Sequence, residues 1–195
     1  MEASIWTGTL AALRDRVAAI DPVPAGVATS AVSASLALAL LAKVLAIASK
    51  KKSLQEQRQR IDELLHAARA ESSQLTSLAD EDIQAFHQYL ESKHEAGRKA
   101  IEIPMEAARS AVRGLGLCEV AAGMITGLTA GDVGATSYLL AGAARAMLLS
   151  VAFNLREMKS DEEFAAAMTA ERAELWRETE RCSEAIATAL TALPE

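Results

Sequence analysis

The chain has 195 residues, 51% of them hydrophobic and only 4% aromatic, with a formal net charge of −6. That length suits one domain whose core is built from Ala, Leu, Val and Ile, and such a composition favours close-packed helices over sheets. Basic residues are scattered except at Lys50-Lys51-Lys52, which excludes the basic face that nucleic-acid binding requires.

Helical periodicity predicts a first helix over residues 4–19, with Leu10, Leu13 and Val17 on one face. Asp21-Pro22-Val23-Pro24 breaks it. A second helix, residues 25–49, is apolar nearly all round, which marks it as central. Residues 22–42 carry no charge, but they include two prolines, a glycine and several hydroxyls. Their strongly apolar part, residues 36–42, is far shorter than the roughly 20 residues that cross a bilayer, so no membrane span is expected. Met1-Glu2 opens without the basic region of a signal peptide. Cys118 and Cys182 show neither metal spacing nor a disulfide framework. Reduced thiols in a cytoplasmic protein are the expectation.

A long amphipathic helix follows over residues 53–91. Leu54, Ile61, Leu64, Leu65, Ala68, Leu75, Leu78, Ile83, Phe86 and Leu90 form its inner face, and Arg58, Arg60, Glu63, Arg69 and Glu71 a solvated one. Helix propensity dips at Glu71-Ser72-Ser73, where a break is expected. Gly97 marks a short linker, and Pro104 suits the first turn of a helix over residues 105–125. In that helix Gly114 and Gly116 either loosen the coil or permit close contact. Residues 126–131 read as a loop, with Asp132 the N-cap of another nearly all-apolar helix over residues 132–158. Ser160-Asp161-Glu162-Glu163 reads as the cap and acidic first turn of a last helix that runs to about residue 190.

With no strand in sight, the fold expected is all-α, a multihelical bundle with central apolar helices, forming one domain over residues 1–195. Few amphipathic helices are left to cover two apolar ones. One apolar face therefore remains for a partner subunit, and Ala141, Gly142, Ala143 and Ala146 permit close helix approach. A homodimer or higher homo-oligomer follows.

Five segments are candidates for chemistry. Pro24-Ala25-Gly26-Val27-Ala28 opens the second helix, where Gly26 either forms a turn or lets backbone N–H groups approach a ligand. Lys50, Lys51 and Lys52 either bind an anion or complement the end of that helix. In Ala79-Asp80-Glu81-Asp82-Ile83-Gln84-Ala85-Phe86, Asp82 stands one helical turn from Phe86, an apolar setting that raises a carboxyl pKa. Asp80 and Glu81 read as solvated. Gly131-Asp132-Val133-Gly134 sets a carboxylate at the head of an apolar helix, and Asn154 lies near that helix's end. His66, His87 and His94 form no ligand constellation, and Cys118 has no histidine placed to activate it.

The order of these segments, from about Pro22 to about Met158, resembles the cyclodeaminase/cyclohydrolase family of folate one-carbon metabolism. Its members include the cyclodeaminase half of formiminotransferase-cyclodeaminase and methenyltetrahydrofolate cyclohydrolases. The resemblance implies an enzyme that closes or opens the one-carbon bridge between N5 and N10 of a tetrahydrofolate derivative, with no metal and no tightly bound cofactor. It assigns Asp132 and Asp82 to catalysis, and Lys50, Lys51, Lys52, Gly26, Gly134 and Asn154 to substrate binding. The sequence departs from the family pattern in four places. Only Gly26 remains of a glycine run, Gly131 replaces a serine, Ser150 stands where an asparagine is common, and the connection over residues 90–103 is short. These departures leave two alternatives: another C–N ring closure or hydrolysis on a non-folate substrate, as in a biosynthetic pathway, or a catalytically inactive helical binding protein.

Overall fold

The computed structural model describes residues 4–91, 96–158 and 161–192, and no strand occurs among them. A 3-10 turn, Ile5–Thr7, precedes α1 (Leu10–Val17) and α2 (Gly26–Ala48). A second 3-10 turn, Lys52–Gln57, leads into α3 (Arg58–Glu91), followed by α4 (Ala96–Ala122), α5 (Leu128–Glu157) and α6 (Glu162–Thr191). Ser160, His94 and the connecting residues 92–95 lie outside the described residues, as does the side chain of Leu90.

From α2 onward each helix runs antiparallel to the one before it. Ala28 and Ser35 of α2 meet Asp82 and Ser72 of α3, and Glu71 meets Ser110 and Arg113 of α4. Ala100 and Gly114 of α4 face Asn154 and Leu140 of α5, and Gly134 of α5 faces Leu190 of α6. The bundle thus has two ends. One gathers the starts of α2, α4 and α6 with the finishes of α3 and α5. The other gathers the remaining termini.

Small side chains set how closely the helices approach. A methyl group on Gly114 would stand 3.0 Å from Leu38 and 3.1 Å from Leu140, so this glycine lets α4 press on α2 and α5 at once. Gly116 has open space around it. The core of Leu38, Leu41, Leu45, Ile61, Leu75, Ile101, Met105, Leu115, Leu140 and Met147 is fully enclosed. Cys118 and Cys182 are buried and unpaired with each other.

Four expected features differ in the structure. The first helix is interrupted at Gly8, where Thr9 caps a separate α1, and Leu10 and Val17 remain exposed. Next, α3 runs unbroken through residues 71–73. Hydroxyls and a carboxylate tie that stretch to its neighbours. Ser35 Oγ meets Ser72 Oγ at 3.0 Å and Thr76 Oγ1 at 3.1 Å. Glu71, expected on a solvated face, accepts from Ser110 Oγ at 2.7 Å and from the Arg113 guanidinium through both oxygens.

The third difference concerns Pro104, which lies inside α4 rather than at its start. Proline has no N–H to donate to the carbonyl four residues earlier, which frees the Ala100 oxygen. Asn154 Nδ2 donates to that oxygen at 2.6 Å. The last concerns α5, which starts at Leu128 after Gly127, whose φ of 72° suits glycine. Residues 128–131 are therefore helical, and Asp132 is an interior residue rather than the N-cap.

The Asn154 bond yields a stability prediction. Asn154→Ala should cost about 1–3 kcal/mol in urea unfolding, because it strands a partly enclosed carbonyl. In a Pro104→Ala background the restored N–H should reach Ala100 and shrink that cost. Equal costs in both backgrounds would separate Asn154 from the proline.

Candidate active site

The start of α2 is open and uncapped by its own sequence. Ala25 occupies the N-cap position with no side chain to accept a hydrogen bond. The Ala28 N–H is instead taken by the Asp82 carboxylate, reaching over from α3. Burial pushes the Asp82 carboxyl up to about 6, and the hydrogen bond from Ala28 opposes this without cancelling it. Phe86, one turn along α3, is half-buried against the core. Next along α2, the Thr29 hydroxyl oxygen is enclosed with no hydrogen-bond partner among the described residues. Gly26 is exposed at the rim, and a side chain there would meet nothing within 4 Å. Gly26 and Asp82, far apart in sequence, are therefore brought together at the head of α2.

Asp80 does a different job from the solvated role expected of it. Its Oδ1 accepts the Ile5 N–H at 3.0 Å and pins the N-terminal turn to α3. Glu81 is exposed.

Lys50, Lys51 and Lys52 are all exposed, beyond the far end of α2. With 23 residues in that helix, they lie about 35 Å from Gly26. A groove of about 340 Å³ between α2 and α3, lined by Ala39, Ala42, Lys43, Ala46, Arg69 and Ser72, occupies the same half of the molecule. Lys43 was not singled out in the sequence, and Arg69 read as solvated surface. The available signal was that Lys43 is the lone charge in an otherwise uncharged α2.

Asp132 is half-exposed in the second turn of α5. Its carbonyl accepts from Thr136 Oγ1 at 2.8 Å, and its carboxylate has no hydrogen-bond partner among the described residues. Gly134 is buried, and a methyl group on it would stand 3.0 Å from Leu190. It packs α5 against α6. Asn154 holds the Ala100 carbonyl at the opposite end of α5, about 33 Å from Asp132 along the helix. The candidates therefore fall into two groups. Gly26, Asp82 and Asn154 lie at one end of the bundle, and Asp132 with the three lysines at the other.

Among the described residues no three His, Cys, Asp or Glu side chains cluster as a metal site. The chemistry on offer is proton transfer at carboxylates and anion binding at exposed cations.

The model of the formiminotransferase-cyclodeaminase family matches residues 9–174. The chain belongs to that family. A crystal structure of formiminotetrahydrofolate cyclodeaminase from Thermotoga maritima has the same fold, with a TM-score of 0.91 over 96% of this chain and 98% of that one, at 24% identity. No curated protein matches the chain. Formiminotransferase-cyclodeaminase membership carries a function in folate one-carbon chemistry, in line with the resemblance seen in the segment order.

The raised Asp82 group yields a prediction with a definite sign. Its folded pKa of about 6 exceeds the ordinary 3.8, so the folded state holds its proton more tightly than the unfolded chain. The stability this gives is present at low pH and is lost as pH rises through 6. Asp82→Asn should therefore gain stability relative to the parent above pH 6 and match it near pH 3. A carboxyl carbon titrating near 4 in NMR would contradict this.

Proposed function

We propose that the protein is a formiminotetrahydrofolate cyclodeaminase acting on the N5,N10 bridge. The family match over residues 9–174 is the observation that carries this reading. In the reaction N10 attacks the formimino carbon on N5, forming the C–N10 bond. The N10 proton is removed, and the formimino nitrogen gains protons until its bond to carbon breaks and ammonia leaves. Methenyltetrahydrofolate remains. One group must accept a proton and another must donate one.

Asp82, pushed up to about 6, suits the donor that releases ammonia. Asp132, with an unengaged carboxylate, lies at the opposite end of the bundle from Asp82, so it suits the acceptor at N10 only as contributed by a second subunit of a homo-oligomer. The uncapped N–H groups at the exposed start of α2, around Gly26, provide polar contacts for the pterin. Lys50, Lys51 and Lys52, about 35 Å from Gly26 within one chain, suit the anionic glutamate tail where a second subunit brings them to the site. Cyclohydrolysis of the methenyl bridge would draw on the same groups, with water as nucleophile.

The protein is read as one domain, soluble and cytoplasmic. α2 and α5 are long and apolar enough to cross a membrane, but each packs against several other helices. Tyr138, Leu139, Leu149 and Phe153 of α5 stay exposed, which supports a homo-oligomer. Of the four small residues expected at its interface, Ala141 and Ala143 are buried within the chain, whereas Gly142 and Ala146 remain exposed.

Purified protein given formiminotetrahydrofolate should produce methenyltetrahydrofolate absorbance and ammonia in equal amounts. Loss of added methenyltetrahydrofolate above the spontaneous rate, with no reaction on the formimino compound, would identify a cyclohydrolase instead. Asp132→Asn should reduce kcat by about 100- to 10,000-fold and change stability by less than about 0.5 kcal/mol. Full turnover in this variant would remove Asp132 from the chemistry. Replacing Lys50, Lys51 and Lys52 together by Ala should raise KM more than it lowers kcat and should weaken the salt dependence of KM. An unchanged KM would return these lysines to a helix-end role.

A further inference from the structure

Acidic residues outnumber basic ones 26 to 20 in this chain, and several cations between helices are neutralised. Arg113 pairs with Glu71, Arg109 with Glu171 and Arg181 with Glu119. Lys43 of α2 and Arg69 of α3 are not. Both line the groove of about 340 Å³ between those helices, and neither has an ion-pair or hydrogen-bond partner among the described residues.

Helical spacing explains why. One turn from Lys43 stand Ala39, Leu40, Ala46 and Ile47, and one turn from Arg69 stand Leu65, His66, Ser72 and Ser73. No carboxylate therefore neighbours either cation along its own helix. Glu71, two residues from Arg69, points to α4 instead, where Ser110 donates to it at 2.7 Å and Arg113 holds both its oxygens. Two like charges thus line one groove with no acid among its walls. An anion seated between them offsets their repulsion.

The other walls limit what that anion is. Ala39, Ala42 and Ala46 bring no polar side-chain atom to the groove. The Ser72 hydroxyl is turned to Ser35, donating to its carbonyl at 3.1 Å, so this wall is fixed in place. The volume lies at the small end of ligand sites, which span about 300–1,000 Å³. A guanidinium fork and a flexible ammonium together match the oxygens of a carboxylate or a phosphate. We propose that the groove binds a small amphipathic anion, with its carboxylate or phosphate head between Lys43 and Arg69 and a short apolar body on the three alanines. Lys43 lies about 26 Å along α2 from Gly26, so this binding is separate from the Asp82 end and does not depend on the folate reaction.

Titration of the full chain with phenyl phosphate, followed through the backbone amide signals of Ala42, Ala46 and Ser72 in NMR, tests this. The shifts should saturate, and the affinity should fall as salt is added. Lys43→Gln combined with Arg69→Gln, both at exposed positions, should weaken binding at least about tenfold and leave the far-UV circular dichroism unchanged. Benzoate is the carboxylate arm. Whichever of the two anions binds more tightly identifies the head group, and either order upholds the site. Benzyl alcohol, similar in size but neutral, should leave the signals in place. No shift with either anion, equal binding of benzyl alcohol, or full affinity in the folded double variant overturns the proposal. Displacement of phenyl phosphate by 5-formyltetrahydrofolate overturns the separate site by making the groove part of the folate site. A changed oligomeric state of the double variant in light scattering gives the groove to a second copy and overturns it as well.

Discussion

The N-terminus of α2 must be satisfied from outside its own sequence, and much of the molecule follows from that requirement. A helix start leaves backbone N–H groups without intrahelical partners. Pro24-Ala25-Gly26 supplies no side chain to meet them, so the Asp82 carboxylate takes the Ala28 N–H from α3. This contact fixes the register of α3 on α2. It also keeps a carboxylate partly out of water, where burial raises its pKa into the range useful for proton transfer. Packing and candidate chemistry thus share one interaction.

Composition explains the rest of the architecture. With 4% aromatic residues, the core has few large side chains with which to fill wide gaps between helices. Glycine and alanine let the helices close up instead, and Gly114 and Gly134 sit where a methyl group would stand about 3.0 Å from a leucine. Dense packing of this kind leaves little apolar surface uncovered inside the bundle. Of the large apolar side chains that stay exposed, Leu128, Tyr138, Leu139, Leu149 and Phe153 lie on α5 and Leu36 and Ile47 on α2.

The helices themselves were largely legible in the sequence. The apolar α2, the inner face of α3 and the Asp161 cap of α6 follow from periodicity and capping chemistry, and the structure agrees. What the sequence hid were contacts between helices. Pro104 reads as a helix start because nothing local shows that Asn154 will satisfy the Ala100 carbonyl. Glu71 reads as solvated because Ser110 and Arg113 are 39 and 42 residues away. Asp132 reads as a cap because the start made by Gly127 depends on a backbone φ of 72°. The site suffered most. Segment order lists Gly26, the lysines, Asp82 and Asp132 as neighbours in a pattern, yet an up-and-down bundle sends alternate segments to opposite ends.

The central claim is that this family member handles a folate one-carbon bridge at the head of α2. A crystal structure with bound 5-formyltetrahydrofolate tests it most directly. The account predicts the N5–N10 edge of the ligand within hydrogen-bond reach of the Asp82 carboxylate, about 3 Å. A ligand seated elsewhere, with Asp82 touching only the Ala28 N–H, would contradict it.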